Sequence, residues 1–221
     1  MRPITDKDIK SIATAHGLEY AALKAFIAAE SSGKGFVNGR LLIQFEPTHF
    51  AKYLTRKGIK NTITKEGSKH KIVIQQSYLS EEKAKPGSIG EVVISATVIT
   101  NGVEVQNPEY RAFELALKVD RESALLSTSF GLSQIMGFNY KLAGFKDVES
   151  MYKAFLESEF AHVEGMVNFI KNTPKLYNAL KVKNWHLVAT YYNGAGYAAL
   201  AKKLNREPYN ITLERFYNKY K

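Results

Sequence analysis

The residue in this sequence best suited to chemistry is a glutamate, Glu30, at the end of an apolar stretch. Leu23, Phe26 and Ile27 precede it at helical spacing, so its carboxylate extends a stripe that should face the core. The segment 31–36, SSGKGF, predicts that the helix ends there in a glycine-rich turn. Burial raises the pKa of a carboxyl group, which allows it to act as a general acid near neutral pH. A Glu near a helix end is more often a solvated surface residue, so this hypothesis depends on the rest of the chain.

The composition excludes several kinds of site. The chain has 221 residues, 45% of them hydrophobic, which is enough to bury a core without cross-links. It contains no cysteine, which excludes disulfides, thiolate zinc sites and a cysteine nucleophile. Its five histidines are scattered and form neither an HxxxH nor an HExxH pattern. We therefore expect neither a metal nor a cofactor.

The formal net charge of +10 favours contact with a polyanion. The lysines are spread along the chain rather than gathered in a basic arm, so we do not expect nucleic acid binding. Transient contact with an anionic cell wall or membrane suits the charge better. The first residues, MRPITDKDIKSIA, lack the apolar core of a signal peptide, so we expect synthesis in a cytoplasm without one.

Hydrophobic periodicity and capping residues predict a chain rich in helices. Thr5 is a predicted N-cap with Asp8 three residues later, and Gly17 is expected to end the first helix. The stretch 147–172 is predicted as one long amphipathic helix, and 127–136 as a short apolar helix. The other predicted helices are 5–16, 18–31, 48–54, 110–119, 176–182, 184–192, 197–204 and 212–220.

Residues 55–107 differ from the rest of the chain because β-branched residues cluster there. The segments 71–79 and 91–100 are typical of strands, and Asn101-Gly102 after the second predicts a hairpin. We expect a small antiparallel sheet that is either the β-lobe of the domain or an insertion in it. The whole sequence, 1–221, is then a single α+β domain.

Two further short motifs carry polar residues among apolar ones. The first, STSFGLSQIM, contains Ser129 and Gln134, and the second, YYNGAG, contains Tyr192 and Asn193. Either motif alone has an ordinary explanation, since the first could be core and the second a helix terminus. Their significance lies in their order after Glu30.

In that order, the motifs resemble those of the lysozyme superfamily, which includes goose-type lysozymes and lytic transglycosylases. The closer match is the N-acetylmuramidase family of bacteriophage endolysins, with the patterns AxxESSGxGF, Phe-Glu after an apolar strand, SxSxGxxQIMGxN and YNGxxY. Two departures are Phe130, where the family often has Trp, and a longer, more strand-like stretch at 55–107. The matching segments are AAESSGKGF at 28–36, IQFE at 43–46, STSFGLSQIMGFN at 127–139 and YNGAGY at 192–197.

The resemblance implies a mostly helical, lysozyme-like α+β fold with a small antiparallel β region and no separate wall-binding domain. It implies cleavage of the β-1,4 bond between N-acetylmuramic acid and N-acetylglucosamine in peptidoglycan, with Glu30 protonating the leaving oxygen. Ser129 and Gln134 would bind the sugar N-acetyl groups or hold Glu30. Tyr192 would contact the glycan through its hydroxyl and ring, and Asn193 would shape a turn or bind substrate.

A second carboxylate is needed only if water is the nucleophile in an inverting reaction. Glu46 is the first candidate because it follows a predicted strand at 41–45 close to the Glu30 turn. Capping of Thr48 or a nearby helix explains Glu46 equally well. Asp120 and Glu122 are weaker candidates.

Two other functions remain open from the sequence. A lytic transglycosylase would give anhydro-muramic products without a second acid, and a non-catalytic peptidoglycan-binding domain would keep only the cleft. Retention of Glu30 argues against the binding domain. We expect a monomeric endolysin that acts on periplasmic peptidoglycan after release from the host cytoplasm.

Overall fold

A computed structural model of the chain describes residues 2–31, 34–75, 91–97 and 106–221. Within these ranges the protein has an α+β fold in which helices dominate. The α-helices are α1 (Asp6–Ala15), α2 (Tyr20–Ser31), α3 (Pro47–Arg56), α4 (Gln106–Val119), α5 (Arg121–Leu126), α6 (Val148–Glu157), α7 (Glu159–Lys171), α8 (Pro174–Lys181), α9 (Trp185–Asn193), α10 (Tyr197–Lys203) and α11 (Tyr209–Tyr220).

The strands form small antiparallel sheets. One hairpin pairs β1 with β2 across the turn at Asn38-Gly39, where both residues have positive φ. A central sheet has the order β3-β7-β8, and the third sheet has the order β4-β5-β6. The strands are β1 (Phe36–Val37), β2 (Arg40–Leu41), β3 (Ile43–Phe45), β4 (Asn61–Glu66), β5 (Lys69–Gln75), β6 (Glu91–Thr97), β7 (Thr128–Phe130) and β8 (Ile135–Met136).

The first two helices form as predicted. Thr5 caps α1 in a capping box with Asp8, and Gly17 follows the helix with a φ of +64°. In α2 the side chains of Leu23, Phe26 and Ile27 are buried in the main core. The predicted apolar stripe that leads to Glu30 is therefore confirmed.

The predicted helix over 127–136 is wrong. The segment forms β7, a tight turn and β8, and β7 pairs with β3 in the register Ile43↔Phe130. Gly131 and Gln134 have φ values of +68° and +45°, which a right-handed helix does not allow. A short apolar run is compatible with either a buried strand or a buried helix, so periodicity could not decide.

The single helix predicted over 147–172 is also wrong, because α6 and α7 are separated at Ser158. This residue is extended, with φ −158° and ψ 133°, and its side chain caps α7 by accepting a hydrogen bond from the Phe160 N–H. The backbone of Arg2 pairs on both sides of it, at 3.1 Å to Glu157 O and 3.0 Å from Glu159 N. Pairing with the N-terminal segment thus requires an extended residue that no helical pattern reveals.

The small antiparallel sheet predicted within 55–107 is confirmed for its described part. Strands β5 and β6 match predicted segments, whereas β4 was not predicted. The buried face of this sheet includes Ile72, Ile74 and Ile94. The predicted hairpin at Asn101-Gly102 lies outside the described residues, as do the distal ends of both predicted strands.

Side chains of α4 complete the free edge of β3. Gln106 bonds both to the Ile43 N–H at 3.0 Å and to the Ile43 carbonyl at 2.9 Å. The Glu109 carboxyl accepts from the Phe45 N–H at 2.9 Å. These contacts satisfy backbone groups that a neighbouring strand would otherwise pair. Among the described residues, no helix is both long and apolar enough to cross a membrane.

Candidate active site

The Glu30 carboxyl lies at the C-terminal end of α2 against a wall of aromatic rings. The Tyr209 hydroxyl donates a hydrogen bond to Glu30 Oε1. Tyr192 stacks on Tyr209 with the ring centroids 6.3 Å apart, and it makes a T-shaped contact with Phe26 with the centroids 4.7 Å apart. Phe26 lies one helical turn before Glu30, so the buried stripe of α2 leads directly to this wall.

This environment changes the acidity of Glu30. Burial raises the pKa of Glu30 to about 7, although the hydroxyls of Tyr209 and Tyr192 act in the opposite direction. Burial beside the carboxyl also raises the pKa of both phenols well above the ordinary value, so each keeps its proton. Glu30 can therefore carry and release a proton near neutral pH, while the tyrosines act as hydrogen-bond donors.

The C-terminal helix positions Tyr209. Helix α11 packs against α2, with its first residue near Glu30 and its far end near the start of α2. There the Tyr217 hydroxyl donates to Glu19 at 2.9 Å, and Lys183 donates to the same carboxylate at 3.0 Å. Anchoring at both ends fixes the antiparallel alignment and so places the Tyr209 phenol on Glu30.

A pocket of about 410 Å³ opens beside the Glu30 carboxyl. Asn193, at the end of α9, and Tyr209 line it together with Glu30. Glu46 is not among its lining residues. The remaining lining residues are Ala29, Tyr197, Leu200, Ala201, Arg206, Glu207, Thr212 and Arg215. The structure thus gives the predicted acid a cavity that a ligand could enter.

Ser129 and Gln134 are brought together, but neither contacts Glu30. Ser129 Oγ donates to Gln134 Oε1 at 2.9 Å, and the Gln134 amide donates to the Gly131 carbonyl at 2.7 Å. The amide also reaches the Leu42 carbonyl at 3.5 Å. These bonds hold the β7–β8 turn, in which both Gly131 and Gln134 are left-handed.

Tyr192 connects Glu30 to this turn. Its ring lies in the aromatic wall, and its hydroxyl donates to the Ser133 carbonyl at 2.9 Å. Asn193 is exposed at the end of α9, and Gly194 after it has a φ of +87°. The two motifs and the end of α2 therefore form one contiguous region.

A buried histidine, His162, packs against glycines from two of the motifs. A Cβ on Gly35 would lie 2.5 Å from His162 Nδ1, and one on Gly131 would lie 2.7 Å from the ring. The ring accepts from the Leu132 N–H at 3.2 Å and donates to the Phe155 carbonyl at 2.7 Å. Burial lowers the pKa of His162 to about 4, so it remains neutral. Both glycines are thus required by close approach to one ring.

The structure places Glu46 at the N-cap position of α3, but its side chain makes no capping hydrogen bond. Gln44 instead donates to Glu46 Oε1 at 2.9 Å. Burial raises the pKa of Glu46, opposed by the Gln44 hydrogen bond and the nearby charges of His70 and Lys65. The capping alternative is therefore wrong for this side chain.

The two weaker carboxylate candidates have structural roles. Asp120 caps α5 by accepting from the Ser123 N–H at 2.8 Å. Lys57 lies 2.8 Å from both Asp120 and Glu122. The hydrogen bond and charge of Lys57 lower the pKa of Asp120 despite its partial burial. Neither carboxylate lines the Glu30 pocket.

Sequence reasoning missed two residues of this region, Tyr209 and Glu109. Tyr209 precedes the predicted start of the last helix and belongs to no motif, so no local pattern marked it. Glu109 is 5% exposed, and burial raises its pKa to about 7, with the charge of Glu46 adding to the effect. Across the described ranges, no group of three His, Asp or Glu residues is arranged to hold a metal ion.

Comparison with known proteins identifies the family of the chain. The family model for N-acetylmuramidases matches residues 19–221. Among solved structures, the chain is similar to the crystal structure of the Burkholderia AP3 phage endolysin, with a TM-score of 0.70 and 26% identity. That similarity covers 99% of this chain and 71% of the other. No curated protein matches the chain. The chain belongs to the N-acetylmuramidase family and is a lysozyme-type glycoside hydrolase that degrades peptidoglycan.

Proposed function

We propose that this muramidase cleaves the β-1,4 bond between N-acetylmuramic acid and N-acetylglucosamine, with Glu30 as the general acid. The observation that carries the proposal is a carboxyl with a pKa of about 7 that opens onto a pocket of about 410 Å³. Cleavage of a glycosidic bond requires a proton on the leaving oxygen, and an acid of this pKa supplies it near neutral pH.

The tyrosines keep Glu30 ready for this step. Tyr209 holds one carboxyl oxygen, which restricts the rotation of the side chain. The aromatic wall limits access of water to the carboxyl and so keeps its pKa high. Tyr192 supports the wall and ties it to the β7–β8 turn through Ser133.

The proposed substrate contacts divide between two regions. Asn193 lines the pocket and is exposed, so we assign it a direct contact with the glycan. The Tyr192 hydroxyl is already bonded to the Ser133 carbonyl, so we assign Tyr192 a contact with the glycan through its ring alone. Ser129 already bonds to Gln134, and the Gln134 amide bonds to backbone carbonyls, so we assign both residues to shaping the turn beside the bound sugar.

Glu46 is the proposed second carboxylate, the base that would activate water. It lies on the same face of the central sheet as Gln44 and Ser129, because Gln44 is paired with Ser129 in the register. Partial burial of its side chain raises its pKa. A Glu46→Gln variant tests this role, since loss of hydrolysis with retained binding to the wall is expected only if Glu46 acts on water.

The biological role follows from the similarity to a phage endolysin. We propose that the protein is itself an endolysin, made in the host cytoplasm and acting as a monomer on the periplasmic wall. Its net charge of +10 would favour residence on the anionic wall or transient contact with an anionic membrane.

The test is lysis of outer-membrane-permeabilised Gram-negative cells, with mass spectrometry of the released muropeptides. Wild type should release fragments that end in reducing muramic acid. Glu30→Gln should lower the rate by at least about 100-fold, the usual contribution of a general acid. Glu214→Gln is a matched control, because Glu214 is an exposed glutamate of α11 that does not line the pocket.

Each outcome has a definite meaning. Anhydro-muramic products from wild type would identify a lytic transglycosylase instead of a hydrolase. Equal release by wild type and Glu30→Gln would exclude Glu30 as the acid. Fragments that end in reducing N-acetylglucosamine would place the cleaved bond on the other side of the muramic sugar.

A further inference from the structure

The Glu30 pocket has a charged side that the proposed chemistry does not use. It is formed by Arg206, Glu207, Thr212 and Arg215, on α11 and the loop that precedes it. These residues lie outside all the motifs that identified the family. Their position beside the acid means that any substituent of a sugar bound at Glu30 could meet them.

Within this group, the carboxylate of Glu207 already has bonding partners. Its carboxylate accepts from the Arg215 guanidinium at 3.0 Å and from the Thr212 hydroxyl at 2.7 Å. The Arg215 guanidinium also lies over the Phe216 ring, 4.6 Å from its centroid. Arg215 is therefore a fixed part of the pocket wall, with its charge compensated.

Arg206 is different. It lines the same pocket, its side chain is exposed, and the structure gives its guanidinium no hydrogen bond or ion pair with the described part of the chain. Asn205 before it has a φ of +49°, and the Arg206 N–H bonds to the Ala201 carbonyl at 3.0 Å, so its backbone is anchored at the end of α10. With Glu30 protonated, the pocket carries one uncompensated positive charge.

We propose that Arg206 binds a carboxylate on the lactyl substituent of the muramic sugar, which makes this side of the pocket a subsite for the substituted sugar. The inference rests on the proposed function. Muramic acid carries a lactyl ether whose acyl group bears a stem peptide with free carboxylates, or is itself a carboxylate when the peptide is absent. Guanidinium groups bind carboxylates with charge-assisted and often bidentate hydrogen bonds.

This subsite would let the enzyme distinguish the muramic sugar from the unsubstituted sugar, which Glu30 alone cannot do. A general acid protonates any glycosidic oxygen that reaches it, whereas a cation on one side of the pocket favours the sugar that carries an anion. Because this contact is remote from the reacting atoms, it should act mainly on KM, leaving the loss of kcat small.

The experiment compares purified wild type, Arg206→Gln and Arg206→Lys on two substrates. One is intact sacculi with their stem peptides, and the other is glycan from which an amidase has removed the peptides, which leaves the lactyl carboxylate. Lys203→Gln is the matched control, because it removes the same charge from α10 outside the pocket. Arg206→Gln should raise KM on intact sacculi about five- to tenfold, and Arg206→Lys should recover part of this loss, because it keeps the charge but not the paired N–H donors.

The two substrates identify the source of the carboxylate. An effect confined to intact sacculi assigns it to the stem peptide, and an effect confined to the amidase-treated glycan assigns it to the lactyl group. An effect on both means that Arg206 accepts either carboxylate. The inference is overturned if Arg206→Gln behaves like Lys203→Gln on both substrates. Failure of wild type to cleave either glycan would instead contradict the proposed function.

Discussion

Tyr209 donates a hydrogen bond to the carboxyl of Glu30, a residue 179 positions earlier in the chain. The bond joins the first residue of the C-terminal helix to the last turn of α2. It stabilises the ionised carboxylate, so it partly offsets the increase in pKa that burial causes. The acidity of Glu30 is therefore a balance between burial against an aromatic wall and the hydroxyls of Tyr209 and Tyr192.

Removing that phenol should change the pH dependence of activity. Glu30 must be protonated to act as an acid, so kcat/KM should decline on the alkaline side of the pH profile. The midpoint of this alkaline limb should lie near the pKa of Glu30, about 7. Tyr209→Phe keeps the ring but removes the donor, so the pKa of Glu30 should rise. We expect the alkaline limb of kcat/KM to move up by about one pH unit, the equivalent of one hydrogen bond to a charged group. An unchanged or lowered limb would contradict this role of Tyr209.

The same burial makes stability depend on pH. The folded-state pKa of Glu30, about 7, lies above its ordinary value of 4.5, so its contribution to stability is present at low pH and is lost as pH rises through 7. Glutamine does not ionise, so the Glu30→Gln variant does not undergo this loss of stability at high pH. We expect its Tm relative to wild type to be higher at pH 8.5 than at pH 4. A Tm difference that does not vary with pH would show that Glu30 is not desolvated in the folded protein.

Glu109 should behave as a buried acid that supports the edge of the central sheet. Glu109→Ala leaves the Phe45 N–H without its partner, so we expect a loss of about 1–3 kcal/mol in the free energy of unfolding. Glu109→Gln keeps an acceptor and should lose less at pH 6. Because the pKa of Glu109 is about 7, wild type must ionise a buried carboxyl above that pH and loses stability. The glutamine variant does not ionise, so its stability relative to wild type should increase there. Urea unfolding at pH 6 and 8.5 measures both effects, and equal losses for Ala and Gln would contradict the assigned hydrogen bond.

Gly131→Ala should destabilise the protein more than an ordinary glycine replacement. The new Cβ would lie 2.7 Å from the buried His162 ring, in addition to the cost of a φ of +68°. Gly58→Ala is the matched control, because Gly58 has a φ of +75° with nothing within 4 Å. The free energy of unfolding of the control should fall by about 1–2 kcal/mol from backbone strain alone. We expect Gly131→Ala to lose about 1–3 kcal/mol more from overpacking, measured by urea unfolding. Equal losses would mean that the His162 ring moves aside freely.

The sequence by itself determined the elements with strong local signals, and it singled out Glu30 as the candidate acid. The capping box of Thr5, the apolar stripe of α2 and the Asn38-Gly39 turn are local features, so their side chains and backbone preferences decide them without help from the rest of the chain. The order of the motifs pointed to Glu30 and to Tyr192 and Asn193 near it. The family assignment followed from the same residues.

The tertiary structure decided the features that depend on distant partners. The segment 127–136 became two strands because β3 offered an edge, and the helix over 147–172 broke at Ser158 because Arg2 paired there. Tyr209 reaches Glu30 only because α11 lies antiparallel to α2. Contacts between residues far apart in sequence leave no periodic signal, so the surroundings that set the acidity of Glu30 could be found only in the folded chain.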